Sequence, residues 1–381
     1  MAAGKSLNQP AEPLIFDTVT QMISAAGLSL ISGMPITAVE RVPLQVAHYS
    51  GNTLERVTAH VQATERQFVL KRFSIERDWI MRLTHDQAVR EVALFRHGIY
   101  ARLPEVCYVP IVAAARDDDS WASLMTDVSA GLAPADDGPL TLDELRRYLS
   151  HLAALHARFL GDDSLRDPAL GLSSLRDFML ILAPTTVRAE CVQGRGHAVL
   201  EAAARGWNVC AEIAPPAVMR IVEQLERDPQ PLIALIEHMP QTLIHGDFKA
   251  ANLGVWPPNT GRIDHLDGLT RTIMLDWQDA AYSAPLLDLG YFLAISAMRL
   301  PVTKDAAIEL YHEALACCGY SYPQQTWERD RDLGLLAGGA LRLLWQKALG
   351  TQAADPILRQ RQHEEVRWWC DLTLRASRWL N

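Results

Sequence analysis

Two short stretches hold residues whose types and spacing suit chemistry. The first is His245-Gly246-Asp247-Phe248-Lys249-Ala250-Ala251-Asn252, with the spacing His-x-Asp-x4-Asn. The second, Ile273-Met274-Leu275-Asp276-Trp277-Gln278, sets an acidic residue at the end of an apolar run. Together they supply what phosphoryl transfer requires. A carboxylate must face the acceptor hydroxyl, and oxygen ligands must hold Mg2+, an ion that takes one or two carboxylates along with phosphate oxygens. A tight loop would place Asp247 at the acceptor. Asn252, five residues on, would turn back to the metal, and Asp276 would reach the same ion from the neighbouring strand.

Elements must position these groups, and the pattern along the chain supplies them. Residues 1–12 are polar and read as a frayed end; residues 16–28 have helical spacing. Residues 43–50, 53–62 and 67–73 read as three strands rich in Val, Thr, Leu and Phe. Ser50-Gly51-Asn52 and residues 63–66 are the turns between them, so this is an antiparallel meander. Residues 75–97 have helical periodicity, and strand character returns at 106–113 and 120–126 around Asp117-Asp118-Asp119. Thr141-Leu142-Asp143-Glu144 is a capping-box pattern that opens a long helix to about residue 160. Helical segments fill much of 172–240, a strand-like island covers 242–276, and helices resume near Leu286. A β-rich first third before a helical remainder is an α+β, two-lobed plan.

The motif residues resemble the aminoglycoside phosphotransferase/choline kinase family, small-molecule kinases with a protein-kinase-like fold. That family's second block looks like Asp-Trp-Glu followed by Gly-Asp-Pro-x-x-Asp-Leu. Here Asp276, Trp277, Pro285 and Asp288-Leu289 stand in register, whereas Ser283 and Ala284 replace the usual glycine and aspartate before the proline. Leu152-Ala153-Ala154-Leu155-His156-Ala157 resembles the family's Leu-x-x-Leu-His-Ala helix. In the first lobe, Val69-Leu70-Lys71-Arg72 looks like the strand with the phosphate-binding lysine, and Glu91, 20 residues later, stands where the family's ion-pair glutamate lies. The resemblance spans roughly residues 43–295.

The resemblance implies a nucleotide-binding N-terminal lobe over residues 1–125 and a helical C-terminal lobe over 126–381, with the acceptor pocket formed in part by 172–240. It implies that Lys71, steered by Glu91, meets the nucleotide phosphates, with Ser50-Gly51-Asn52 as the nucleotide loop. The Thr126 carbonyl and the Val128 amide would meet the adenine edge. Asn252 and Asp276 would hold Mg2+, Asp247 would act as the base, and Lys249 would contact the γ-phosphate. His245, His156 and Asp288 are read as supports of the loop and not as proton carriers. The expected activity is transfer of the γ-phosphate of ATP, or of GTP, to a hydroxyl of a small molecule that is aminoglycoside-, choline- or sugar-like. A non-catalytic nucleotide-binding scaffold is the alternative. A protein kinase is disfavoured, because only nine residues separate Asp276 from Leu286 and leave no room for a peptide-docking segment.

Composition excludes other classes. Among 381 residues, 49% are hydrophobic and 21% charged, which is globular and not disordered. A formal net charge of −9 disfavours a nucleic-acid binder that works through a basic surface. No apolar run approaches a membrane span, so no membrane partner is expected. The N-terminus shows no apolar signal segment, and the six cysteines make no Cys-x-x-Cys pair. These features predict reduced, mostly buried thiols, Cys317-Cys318 included, in a cytoplasmic protein. Gly4-Lys5-Ser6 imitates the end of a phosphate loop but lacks the earlier glycine and the preceding strand, so it is rejected.

Overall fold

A computed structural model describes residues 12–44, 50–62, 64–133, 138–257 and 269–380. The N-terminal stretch read as frayed falls almost wholly outside these residues, as do Gly4-Lys5-Ser6, residue 63 of the second turn and most of the expected strand at 43–50.

The chain opens with β1 (Ile15–Phe16), α1 (Val19–Met22) and α2 (Ala25–Ser32). One helix was expected over 16–28, but two hydroxyl caps divide it. Thr18 accepts from the Gln21 amide and Ser24 from the Gly27 amide, so a new helix begins at each. Next come β2 (Ala38–Pro43), β3 (Thr53–Val61) and β4 (Thr64–Arg72). The expected meander forms, but its first strand lies earlier than the sequence pattern suggested, with Ala38 opposite His60 and Pro43 opposite Glu55.

Residues 75–97 form two short helices, α3 (Trp79–Leu83) and α4 (Arg90–Arg96), and not one. Asp78 caps the first through the Ile80 and Met81 amides, and Asp86 accepts from the Arg90 amide at the start of the second. Between them His85 and Val89 adopt left-handed φ of 54° each, a conformation that ends any helix. The run at 106–113 also divides, into β5 (Cys107–Tyr108) and β6 (Ile111–Asp117). Pro110 stands between them without an N–H to donate, and the two strands join different sheets. β7 (Ser120–Thr126) follows the turn at Asp118.

Helices then dominate: α5 (Leu142–Arg158), α6 (Leu175–Leu180), α7 (Pro184–Val192), α8 (Ala198–Ile213), α9 (Pro216–Arg227) and α10 (Gln230–Glu237). Short strands β8 (Thr242–Ile244), β9 (Leu253–Trp256), β10 (Arg271–Met274) and β11 (Ala281–Ser283) break the helical series. It closes with α11 (Leu286–Ile295), α12 (Lys304–Cys317), α13 (Gln324–Leu335), α14 (Leu341–Gly350) and α15 (Pro356–Ala376).

The chain divides into two compact units. The first comprises Met1–Ala133, Arg166–Leu172 and Ala251–Gln278. It holds a six-stranded sheet of order β1-β6-β7-β4-β3-β2 and a three-stranded sheet of order β5-β10-β9. Met22, Leu28, Val57, Phe68, Leu70, Ala113 and Leu124 form one core of this unit. Side chains alternate along a strand, so a β4 that buries Phe68 and Leu70 on one face presents Lys71 on the other.

The second unit comprises Pro134–Leu165, Ser173–Ala250 and Asp279–Asn381. Here α8 packs on α14, α5 on α12 and α11 on α13, while β8 and β11 pair antiparallel. Ser283, one of the departures from the family pattern, pairs with Thr242 at the end of that ladder, and the Ala284 carbonyl accepts from the Leu287 amide to lead into α11. All six cysteines are free. Cys107, Cys210 and Cys370 are buried, but Cys317 and Cys318 are exposed, contrary to expectation, because they fall where α12 ends at the surface. Among the described residues no helix is long and apolar enough to cross a membrane.

The capping box at Thr141 is complete: its hydroxyl accepts from the Glu144 amide, and the Glu144 carboxylate accepts from the Thr141 amide. Thr141→Ala should therefore lower the unfolding free energy by about 1 kcal/mol. Denaturant titration checks this, and an unchanged midpoint would contradict it.

Candidate functional site

In the first unit a buried ammonium organises the polar residues. Lys71 lies on β4 and is only 5% exposed. Its Nζ donates to Glu91 Oε2 at 2.8 Å and to Asp276 Oδ1 at 2.6 Å. Burial alone would push the lysine pKa down, but the two carboxylates outweigh it and raise the value above its ordinary one. Burial pushes the Glu91 carboxyl up, against the pull of Lys71. Glu91 sits in the first turn of α4, and the Tyr100 hydroxyl donates to its carbonyl.

Asp276 follows β10 with a left-handed φ of 59°, a conformation that Asp tolerates better than most residues. Its side chain is 42% exposed, unlike its partners. Trp277 secures the turn by donating from Nε1 to the Met274 carbonyl. Asn252 immediately precedes β9, which pairs with β10 so that Leu253 faces Met274. The Leu275 amide then donates to the Asn252 carbonyl, which places Asn252 beside the residue that precedes Asp276. The structure thus brings Lys71, Glu91 and Asp276 into one ion cluster and sets Asn252 at the same end of a ladder.

Ser50-Gly51-Asn52 precedes β3 and joins a different network. Asn52 Nδ2 donates to Asp78 Oδ2 at 2.7 Å, and so does Gln278 Nε2, also at 2.7 Å. Asp78 is wholly buried, and burial pushes its carboxyl up to about 6. Thr126 ends β7 opposite Phe68, its amide donating to the Pro110 carbonyl. Val128 is buried, and its carbonyl accepts from the Gly131 amide.

The second unit holds the loop after β8. Asp247 Oδ1 accepts from the Tyr291 hydroxyl at 2.6 Å and Oδ2 from Lys249 Nζ at 2.7 Å. The loop is gripped from two sides. Asp288, in the first turn of α11, takes the His245 amide on Oδ2 and the Gly246 amide on Oδ1, each at 2.7 Å. His156 Nε2 lies 3.2 Å from Asp288 Oδ2, and its Nδ1 lies 2.6 Å from the Tyr311 hydroxyl. From the other side Arg342 donates to the Gly246 carbonyl at 2.9 Å and to Asp279 Oδ2 at 2.6 Å. Gly246 has φ 82°, and a Cβ there would stand 2.1 Å from the Asp279 carbonyl oxygen, so no other residue fits. His245 Nδ1 accepts from the Asp247 amide at 3.2 Å, a contact within the loop.

Sequence reasoning named the motif residues but missed Tyr291, Arg342 and Asp78. Tyr291 lies three residues after Asp288 and so on the neighbouring helical turn, a signal that spacing could have given. Nothing local marks Arg342, which lies 96 residues from Gly246.

This architecture, a β-sheet unit with a buried lysine–glutamate pair and a helical unit, is the protein-kinase-like α+β fold. The sequence profile of the ecdysteroid kinase-like family matches residues 104–319, more than half of the chain, and the chain belongs to that family. Among solved structures it is similar to an ethanolamine kinase from Plasmodium vivax, at 11% identity over 92% of this chain and 86% of that one, with a TM-score of 0.50. It is also similar to a choline kinase from Streptococcus pneumoniae (12% identity, 93% and 97% covered, TM-score 0.41). A third is an aminoglycoside phosphotransferase from Streptomyces rimosus (12%, 86% and 100%, 0.41). Among curated proteins none matches the chain by sequence.

Burial alone would raise the Asp288 carboxyl, but the His156 side chain, helped by His245 and the Gly246 amide, holds it below its ordinary value. A lowered value means that the stability it contributes is present at neutral pH and is lost as pH falls below about 4. Asp288→Asn should cost about 3 kcal/mol at pH 7, because buried partners lose their anion. The gap from wild type should narrow on acidification. Unfolding curves between pH 3 and 7 test this, and a gap independent of pH would refute it.

Proposed function

We propose that the protein is a phosphotransferase that moves the γ-phosphate of ATP to a hydroxyl of a small molecule. The observation that supports this most is the Lys71–Glu91–Asp276 cluster, a buried cation held ready by two carboxylates. The donor set suits MgATP. Asp276 offers an accessible carboxylate and Asn252 a carboxamide, both hard oxygen donors, and Lys71 is a point charge for phosphate. Among the described residues no group of three or more His, Cys, Asp or Glu side chains is arranged as a metal cage, so an ion here would depend on phosphate oxygens for the rest of its shell. Bound Mg2+ would supply charge neutralisation on those oxygens.

In this reading Asn252 and Asp276 hold the ion, and Lys71, steered by Glu91, meets the phosphates. Ser50, Gly51 and Asn52 form the nucleotide loop, and Thr126 and Val128 meet the base; GTP could take the same place. The acceptor oxygen forms its bond to the γ-phosphorus while the bond to the β-phosphate oxygen breaks and ADP leaves. The hydroxyl proton passes late to Asp247, whose carboxylate Tyr291 orients. Lys249, 26% exposed and bonded to Asp247, can follow the transferring phosphate. The protein would act in the cytoplasm on a free metabolite, without nucleic acid or membrane as partner. Aminoglycoside-, choline- and sugar-like alcohols are acceptor classes, and the family's name adds ecdysteroids to the screen.

MgATP at a hundred times its dissociation constant should stabilise the fold by roughly 2.7 kcal/mol. Thermal unfolding should show that shift in wild type and lose it in Asp276→Ala; a wild type blind to millimolar MgATP and MgGTP would sink the nucleotide assignment. With an acceptor from the screen, Asp247→Ala should lower turnover by about 100-fold or more, in the range of a lost general base. Turnover near wild type in that variant would remove Asp247 from the mechanism.

A further inference from the structure

Asp78 is a fully buried carboxylate whose duties divide between its two oxygens. Oδ1 accepts from the Ile80 amide at 2.8 Å and the Met81 amide at 3.1 Å, which caps α3. Oδ2 takes no part in the cap. It accepts from Asn52 Nδ2 and from Gln278 Nε2, both at 2.7 Å. A serine, threonine or asparagine would cap a helix as well without burying a charge. What aspartate adds is the second oxygen.

The two amides that meet there belong to separate parts of the first unit. Asn52 closes the turn Ser50-Gly51-Asn52, which is pressed against residues 77–79. The Ser50 carbonyl accepts from the Trp79 amide, and Gly51, with φ 111°, lies so close that a Cβ would stand 2.3 Å from the Arg77 carbonyl oxygen. Gln278 stands two residues after Asp276, and Arg90, itself buried, donates to its carbonyl. Backbone and side chain of Gln278 are thus held from two directions. Its chemistry is also fixed: a glutamate at 278 would face Asp78 with a like charge, whereas an amide nitrogen donates to it.

We infer that Asp78 is a positioning residue for the nucleotide, tying the Ser50-Gly51-Asn52 turn to the segment that follows Asp276. The inference rests on the proposed nucleotide site. Asp78 touches neither phosphate nor metal in this reading; it sets the distance between the groups that do.

MgATP binding to the full chain, measured by calorimetry, tests it. Asp78→Ser keeps a capping oxygen and deletes the second acceptor, and Gln278→Glu opposes two carboxylates. Each should weaken MgATP binding by roughly 10- to 100-fold, the usual effect of losing an outer-shell support. Asp78→Asn should stay within about threefold of wild type, because its amide can donate to Asn52 and Gln278 once theirs turn over. In the nucleotide-free protein the Asn52 side-chain amide resonance should move in Asp78→Ser and much less in Asp78→Asn. A helix cap alone would leave binding unaltered in all three variants, and a purely electrostatic role would make Asp78→Asn as weak as Asp78→Ser; either result overturns the inference while wild-type binding keeps the nucleotide site. No MgATP binding by wild type overturns both. Should Asp78→Ser fail to fold, Gln278→Met, which touches no cap, carries the same expectation and the same refutation.

Discussion

A lysine ammonium buried to 5% exposure is tolerable only if opposite charge answers it. In this chain two carboxylates do so, and much of the first unit follows from where they must come from. Lys71 points away from the core face of β4, so its partners must arrive over the opposite face of that strand. Glu91 comes from the first turn of α4, which begins where it does because Asp86 and the left-handed Val89 start a new helix there. Asp276 comes from the end of β10, released from the strand by its own left-handed φ. Two anions against one cation leave a surplus of negative charge. It rests on Asp276, the more exposed partner, where a dissolved cation can reach it.

The second unit obeys a different constraint. Here the loop backbone and not a charge has to be fixed, because three residues between β8 and Phe248 must turn sharply. Backbone amides of His245 and Gly246 converge on Asp288, and the carbonyl of Gly246 faces the other way, to Arg342. Donors and acceptors of one short turn are thus satisfied by opposite charges on opposite sides. Burying Arg342 is made tolerable by Asp279 and by the rings of Phe178 and Tyr291, 4.2 and 4.6 Å from its guanidinium carbon. Tyr291 therefore serves two groups at once, the arginine with its face and Asp247 with its hydroxyl.

The chemistry-bearing residues were legible in the sequence because they cluster within a few positions. His245 to Asn252 and Asp276 were singled out by spacing, and Lys71 and Glu91 through the family resemblance of their strand and helix. Strands bounded by turns, such as β3 and β7, were legible for the same local reason. Periodicity misled where short polar side chains overrode it. The apolar spacing over 75–97 is continuous, but Asp78 and Asp86 each offer carboxylate oxygens to free amides, and two capped helices outcompete one long helix. The ties from distant chain were not legible at all. Arg342 reaches Gly246 across 96 residues and Gln278 reaches Asp78 across 200, and no local pattern records such a pairing.

Asp78 and Asp288 show why this blindness is systematic. Asp78 caps α3 with one oxygen only, and Asp288, in the first turn of α11, gives both oxygens to groups outside its helix. The distant partners are Asn52 and Gln278 for Asp78, the loop amides and His156 for Asp288. A hydroxyl would satisfy the cap of Asp78 at lower desolvation cost, so what the charge adds there is the second acceptor. Asp86 turns both oxygens to the local Arg90 amide, but the buried carboxylate of Asp78 reaches distant partners. Those partners belong to the turn and the strand end on which the nucleotide reading depends.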